Sequence, residues 1–191
     1  LPLTALFTVD ALGGGLVANA VIAYWLHVRF GAGTILLGPV FAAMSVLQAG
    51  SYEIAGRLAD RIGLIRTMVF THLPSNVLLI AVAFSPTLGW AVALLLARFA
   101  ISQMDVPARQ AYVASIVPPS QRAGALAITG VVRGAGQAAG PLVSGLAIQA
   151  AAYGIPFVAG GVLKIAYDVA LFAGYRSRPA EHETVSEAVR T

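Results

Sequence analysis

Six long apolar runs, parted by short breaks, organise the 191-residue chain. They cover roughly Leu3–Leu26, Ile35–Tyr52, Arg66–Phe84, Leu88–Ala111, Ala123–Ala147 and Gly154–Tyr175. A helix needs about 20 mostly apolar residues to cross a hydrocarbon layer of about 30 Å. Each run therefore predicts a transmembrane helix. A membrane β-barrel would show strict polar–apolar alternation, and these runs do not. The first is too long, and too interrupted by Asp10 and Asn19, for a cleavable signal sequence. The breaks carry turn chemistry: Phe30-Gly31-Ala32-Gly33, Ser85-Pro86-Thr87, Val117-Pro118-Pro119-Ser120 and Ala152-Tyr153-Gly154. Gly and Pro interrupt regular hydrogen bonding there. Connections this short make successive spans antiparallel neighbours. The expected fold is an all-α membrane protein, with a six-helix bundle over residues 1–175 and a polar, loosely ordered cytoplasmic tail over 176–191.

Composition agrees with that pattern. Hydrophobic residues make up 58% of the chain and charged residues 10%, whereas a soluble domain carries about a quarter charged. A soluble enzyme and a disordered chain are both excluded by these figures. The absence of cysteine removes disulfides and thiolate metal sites. No metal or other cofactor is expected, and no nucleic-acid partner, because the net charge of +4 is spread over loops of a membrane protein. One set of connections holds Arg57, Arg61, Arg66, Arg109, Arg122, Arg176 and Arg178, while the opposite set holds Arg29. The positive-inside rule puts the arginine-rich side and the C-terminus in the cytoplasm, in a plasma (inner) membrane. Tyr24, Trp25, Trp90 and Tyr153 then fall near the outer interface, as amphipathic rings prefer. The chain opens on Leu1, inside an apolar run, which predicts further chain upstream.

Between the second and third runs lies Gly56-Arg57-Leu58-Ala59-Asp60-Arg61-Ile62-Gly63-Leu64-Ile65-Arg66. Gly56 would let two helices approach, and Gly63 would permit a turn that side chains obstruct. Asp60 can accept from amides at a helix N-terminus, and Arg61 and Arg66 can pair with acids. The segment suits a conformational latch; it also satisfies the charge rule as an ordinary inner loop. It resembles the signature loop of the major facilitator superfamily, departing from it at Leu64 and Ile65, where a basic residue is usual. The resemblance extends through Gln103–Tyr112 and Val117–Arg122, similar to the tenth span and following loop of bacterial exporters in the superfamily. It continues into Gly136–Gly145, where Gly140-Pro141 is similar to the antiporters' glycine–proline signature. Arg98 stands where a related span often carries a buried arginine. The resemblance implies spans seven to twelve of a twelve-span transporter, with the first half as an alternative because the two halves are related repeats. It also implies the partners: a lipid bilayer, a missing N-terminal six-helix half, a small-molecule substrate and protons.

Charges inside a membrane are costly, so each is a functional candidate. Thr129, Arg133, Gln137 and Ser144 follow one helical stripe in the fifth run, a candidate cavity or gate lining. Arg133 is equally explained as held by carbonyls and acids. Gly136, Gly140 and Gly145 suit close helix packing, and Pro141 a bend. Lys164 and Asp168 are four residues apart in the sixth run, which favours a pair that neutralises itself, with contact to an anionic substrate as the other option. Arg98, Arg133 and Lys164 together suggest a cavity that tolerates anions. Asp105 and Arg109 have the same four-residue spacing and predict a pair at the inner mouth. Asp10, ahead of Gly13-Gly14-Gly15, is the candidate proton-coupling group, since desolvation favours reversible protonation of a carboxylate. The three glycines should loosen the helix there. Two other classes compete with a transporter. A six-span channel or scaffold would act as an oligomer, but no filter segment is evident. An intramembrane serine protease would need a base facing Ser144. His27 and His72 fall near the outer ends of their runs and His182 in the tail. No Gly-x-x-x-x-Gly-Lys-Ser/Thr loop is present, so ATP hydrolysis is not expected.

Overall fold

The computed structural model describes residues 3–176. The tail from residue 177 on, with Arg178 and His182, lies outside the described residues. The helices are α1 (Leu3–Leu16), α2 (Asn19–Phe30), α3 (Thr34–Ile62), α4 (Leu64–Ala83), α5 (Leu88–Phe99), α6 (Asp105–Ser115), α7 (Arg122–Gln149) and α8 (Ile155–Tyr175), with a short 3-10 turn at Pro119–Gln121. Among the described residues no strand occurs. Leu3–Phe30, Thr34–Ile62, Leu64–Ala83 and Ile155–Tyr175 are each long and apolar enough to cross a bilayer, and α5 is a shorter apolar helix. The 28-residue α7 is long enough as well, though Arg133, Gln137 and its glycines dilute its apolar character.

Several breaks fall where turn residues predict them. Gly31 ends α2 in the left-handed region (φ 69°), its amide bonded to His27 O. Thr87 caps α5 by accepting from Trp90 N at 3.4 Å. Gly63 separates α3 from α4 at φ 88° and ψ 161°, a conformation that a side chain would strain. Other breaks differ from expectation. The first run stays helical through Gly13-Gly14-Gly15 and breaks at Val17-Ala18, because the glycines are clasped on both sides by other helices. The fourth run is two helices, interrupted over residues 100–104, so Asp105 opens a new helix. The segment 53–62, expected as loop, continues α3; its Glu, Ala, Arg and Leu residues are good helix formers.

Glycines set the packing. α1 lies between α7 and α8, and α4 packs on α8, α5 and α6. A Cβ at Gly140 would fall 2.0 Å from the Gly15 carbonyl carbon, and one at Gly15 would fall 2.2 Å from Gln137 O. Pro141 has no N–H to offer the carbonyl four residues back. That carbonyl belongs to Gln137, and it is the one lodged against Gly15. On the other side, a Cβ at Gly160 would meet Gly13 O at 2.9 Å. Gly136 also touches α1, at Thr8. Gly56 and Gly145 do not serve such contacts among the described residues: a Cβ added at either would have nothing within 4 Å. The close helix approach expected at Gly56 is therefore absent among the described residues.

Two apolar cores result. One gathers Val17, Ile22, Trp25, Leu26, Met44, Leu79, Leu95 and Phe157; the other gathers Leu6, Phe7, Leu64, Met68, Tyr112, Tyr167 and Leu171. Trp25, expected at the interface, is fully buried against Phe157 and Phe30, whereas Trp90 is 61% exposed. Tyr24 is exposed and Tyr153 packs against the first core. Along α1 and α4 the two cores are separated by polar residues: Asp10 on α1, His72 and Asn76 on α4.

Candidate functional site

Those polar residues belong to a charged layer drawn from several helices. Asp10 sits at its centre, essentially without solvent contact. Lys164 Nζ of α8 donates to Asp10 Oδ1 at 2.6 Å, and Arg133 Nη1 of α7 donates to Oδ2 at 2.7 Å. Arg109 Nη1 of α6 stands 3.6 Å from Oδ2, and His72 Nε2 of α4 stands 3.6 Å from Oδ1. A carboxylate offers about four lone-pair sites, so one Asp can serve this many donors. Arg133 also reaches Phe7 O at 3.3 Å. Arg109 bonds Asp105 one turn away on α6 and lies over the Phe7 ring.

A second carboxylate extends the layer. Asp168 Oδ1 accepts from His72 Nδ1 at 2.8 Å, and its Oδ2 accepts from Asn76 Nδ2 at 2.9 Å. The Tyr167 ring stands edge-on to His72 at 5.9 Å. Arg98 on α5 is buried near the layer, with its guanidinium over the Phe99 ring at 5.2 Å and no hydrogen-bond partner for Nε among the described residues. Four basic side chains (Arg98, Arg109, Arg133 and Lys164) thus accompany three acidic ones (Asp10, Asp105 and Asp168). Burying charges costs free energy that pairing must offset, and removing one partner leaves the other stranded.

The structure rearranges several pairings expected from spacing. Lys164 and Asp168 do not form the pair that their spacing suggests: Lys164 bonds Asp10 and Asp168 bonds His72 and Asn76. Both lie on α8, but they reach different neighbouring helices. Asp105 and Arg109 do pair, yet not as a separate site, since Arg109 also approaches Asp10. The α7 stripe is largely a seam with α1. Ser144 donates to Leu16 O at 2.6 Å, Thr129 donates to Ala125 O of its own helix, and the Gln137 residue remains exposed. Of the stripe, Arg133 joins the charged layer, with its side chain 22% exposed. His72 is not at the end of its span: it lies mid-helix in α4 and is buried. Sequence reasoning gives His72 no role in a charged layer and passes over Asn76, although two polar residues one turn apart within an apolar run are the available signal.

The α3–α4 connection is a different kind of place. Gly56, Asp60, Arg61 and Arg66 are exposed, and Gly63 is half-buried. Arg57 pairs with Glu53 at 3.2 Å on the same exposed helix face. The geometry places these charges away from the buried layer.

The sequence model of the Major Facilitator Superfamily matches residues 3–190. The chain belongs to that superfamily. It is also similar to an uncharacterized membrane protein of Saccharomyces cerevisiae, 24% identical over 170 residues. That match covers 88% of this chain and 38% of the relative, so the chain spans well under half of that protein's length. Members of this superfamily are multi-pass integral membrane proteins, which accounts for the apolar helices around the charged layer.

Proposed function

We propose that this chain is a six-span half, the C-terminal one, of a secondary active transporter that exports a small molecule by alternating access, driven by an ion gradient. In this reading α1 with α2, α3, α4, α5 with α6, α7 and α8 are the six crossings. The observation that carries it is the buried layer in which Asp10 is shared by Lys164, Arg133, Arg109 and His72. A static scaffold gains little from such a layer, because apolar packing would serve as well. A layer in which several cations share one carboxylate supports a machine that changes partners as helices tilt. The largely exposed apolar faces of α3 and α7, including Ile35, Val46, Val131 and Leu142, are available to lipid and to the other half. The surplus of basic over acidic side chains in the layer favours an anionic or neutral cargo. The exposed α3–α4 charges, Asp60, Arg61 and Arg66, serve as the latch on the cytoplasmic side, and the C-terminus lies on that side too.

The test uses the full-length protein in liposomes loaded with a pH-sensitive dye and challenged with small anions and neutral amphiphiles. Saturable, gradient-linked flux that is lost in Asp10→Asn is the expected result. Fast conductance indifferent to the gradient would instead support the channel reading. This chain lacks cysteine, so in the full-length protein, with any cysteine outside this chain replaced, single cysteines at positions 60 and 122 report topology. Labelling only from outside intact cells would overturn the orientation.

A further inference from the structure

We infer that His72 is the proton-binding group of this bundle, and that its protonation exchanges the α1–α8 ion pair Asp10–Lys164 for an α1–α4 pair, Asp10–His72. The inference rests on the transporter reading only for what the exchange accomplishes; the exchange itself is a matter of geometry. An ionised carboxylate can only accept hydrogen bonds. The 2.8 Å contact to Asp168 Oδ1 therefore places a hydrogen on His72 Nδ1. The neutral ring then presents its lone pair at Nε2, which stands 3.4 Å from Lys164 Nζ and 3.6 Å from Asp10 Oδ1. Lys164 Nζ occupies that same oxygen at 2.6 Å. A proton added at Nε2 turns a lone pair that faces an ammonium group into a second cation 3.4 Å from it. Two like charges this close in a poorly solvated site repel strongly. That repulsion sets the two cations in competition for Asp10 Oδ1.

The surroundings favour His72 over Asp10 as the proton's destination. Asp10 already has four cationic or basic groups within 4 Å, so a proton on it would strand Lys164 and Arg133 together. Facing His72 are Asp10 from α1, Lys164, Tyr167 and Asp168 from α8, and Asn76 on its own helix. From the other helices packed on α4, α6 supplies Asp105, Arg109 and Tyr112 and α5 supplies Arg98; the Glu53, Arg57, Asp60 and Arg61 side chains of α3 are exposed. Arg133 of α7 completes the set through Asp10. His72 is thus the group with a carboxylate available to each ring nitrogen. After the exchange Asp10 retains Arg133 on Oδ2, His72 ties α1 to α4, and Lys164 is released on α8. A change of tie between helices is what a rocking bundle requires.

The test is nitrogen NMR of the full-length protein, labelled with 15N-histidine in lipid nanodiscs, between about pH 5 and 9, the range in which a histidine changes charge. A His72→Gln variant identifies the signal; should it not fold, the signal is identified by its response to Asp168→Asn. The expected result is a neutral ring protonated at Nδ1 at high pH, giving way to a doubly protonated ring as pH falls. Lys164→Met, which removes the competing cation, should move that changeover to higher pH. A His72 ring that stays neutral across the range, or a changeover unmoved by Lys164→Met, overturns the inference. The measurement needs no cargo. Flux in liposomes without titration of His72 would keep the transporter reading and discard this one, while titration without flux would do the reverse.

Discussion

Replacing Gly140 with alanine puts the α1–α7 seam under a strain that can be worked from the structure. The added Cβ would lie 2.0 Å from the Gly15 carbonyl carbon, 2.3 Å from Leu16 N and 2.5 Å from Gly15 Cα. All three are backbone atoms, so no side chain can swing aside. Reaching ordinary contact at 3.4 Å requires the helices to part by about 1.4 Å. A displacement of that size would stretch the 2.6 Å Ser144–Leu16 bond to about 4 Å and open the 2.7 Å Arg133–Asp10 contact similarly. Overpacking costs about 1–3 kcal/mol, and a lost hydrogen bond adds about 1 kcal/mol. Helix propensity returns about 1 kcal/mol when alanine replaces glycine. The net expectation is a loss of about 1–3 kcal/mol. Gly145→Ala and Gly124→Ala are the internal controls: they lie on the same helix with nothing within 4 Å, and propensity alone should leave them neutral or stabilised. The assay is thermal unfolding of the purified full-length protein in detergent, followed by intrinsic fluorescence. If Gly140→Ala melts together with the two controls, glycine contact does not hold this seam.

Asp10→Asn should destabilise by about 3–5 kcal/mol, because it leaves Lys164, Arg133 and Arg109 around a neutral amide. Adding Lys164→Met should recover at least about 1 kcal/mol in denaturant unfolding, and strict additivity of the two changes would refute the pairing. Gly63→Ala should cost about 1–3 kcal/mol in the same assay, since φ 88° is open to glycine and strained for alanine. Gly56→Ala, with no neighbour within 4 Å among the described residues, should preserve stability there; transport lost from a stably folded Gly56→Ala protein would support the proposed latch.

Local structure was legible in the residues alone. The apolar runs specified helices, since a segment that cannot meet water must satisfy its own backbone. Gly31, Thr87 and Gly63 specified ends, because each supplies a conformation or an acceptor that helix termini need. Asp10, Arg133, Lys164 and Asp168 were recognisable as residues that must avoid lipid, and Gly140 and Pro141 as a place of close packing and bending. Their partners were not. Lys164 and Asp168 stand one turn apart, so spacing suggested a pair; tertiary packing gave each a carboxylate or imidazole far along the chain, on α1 and α4. Helical periodicity says which face a polar residue occupies but not which helix lies opposite. That was decided by Gly13, Gly15, Gly140 and Gly160, whose missing side chains let α1 settle between α7 and α8 and bring Asp10 within reach of both. His72, expected near the end of its run, was misjudged for the same reason. Its importance comes from lying between two carboxylates on separate helices, a relation created only when the bundle closes.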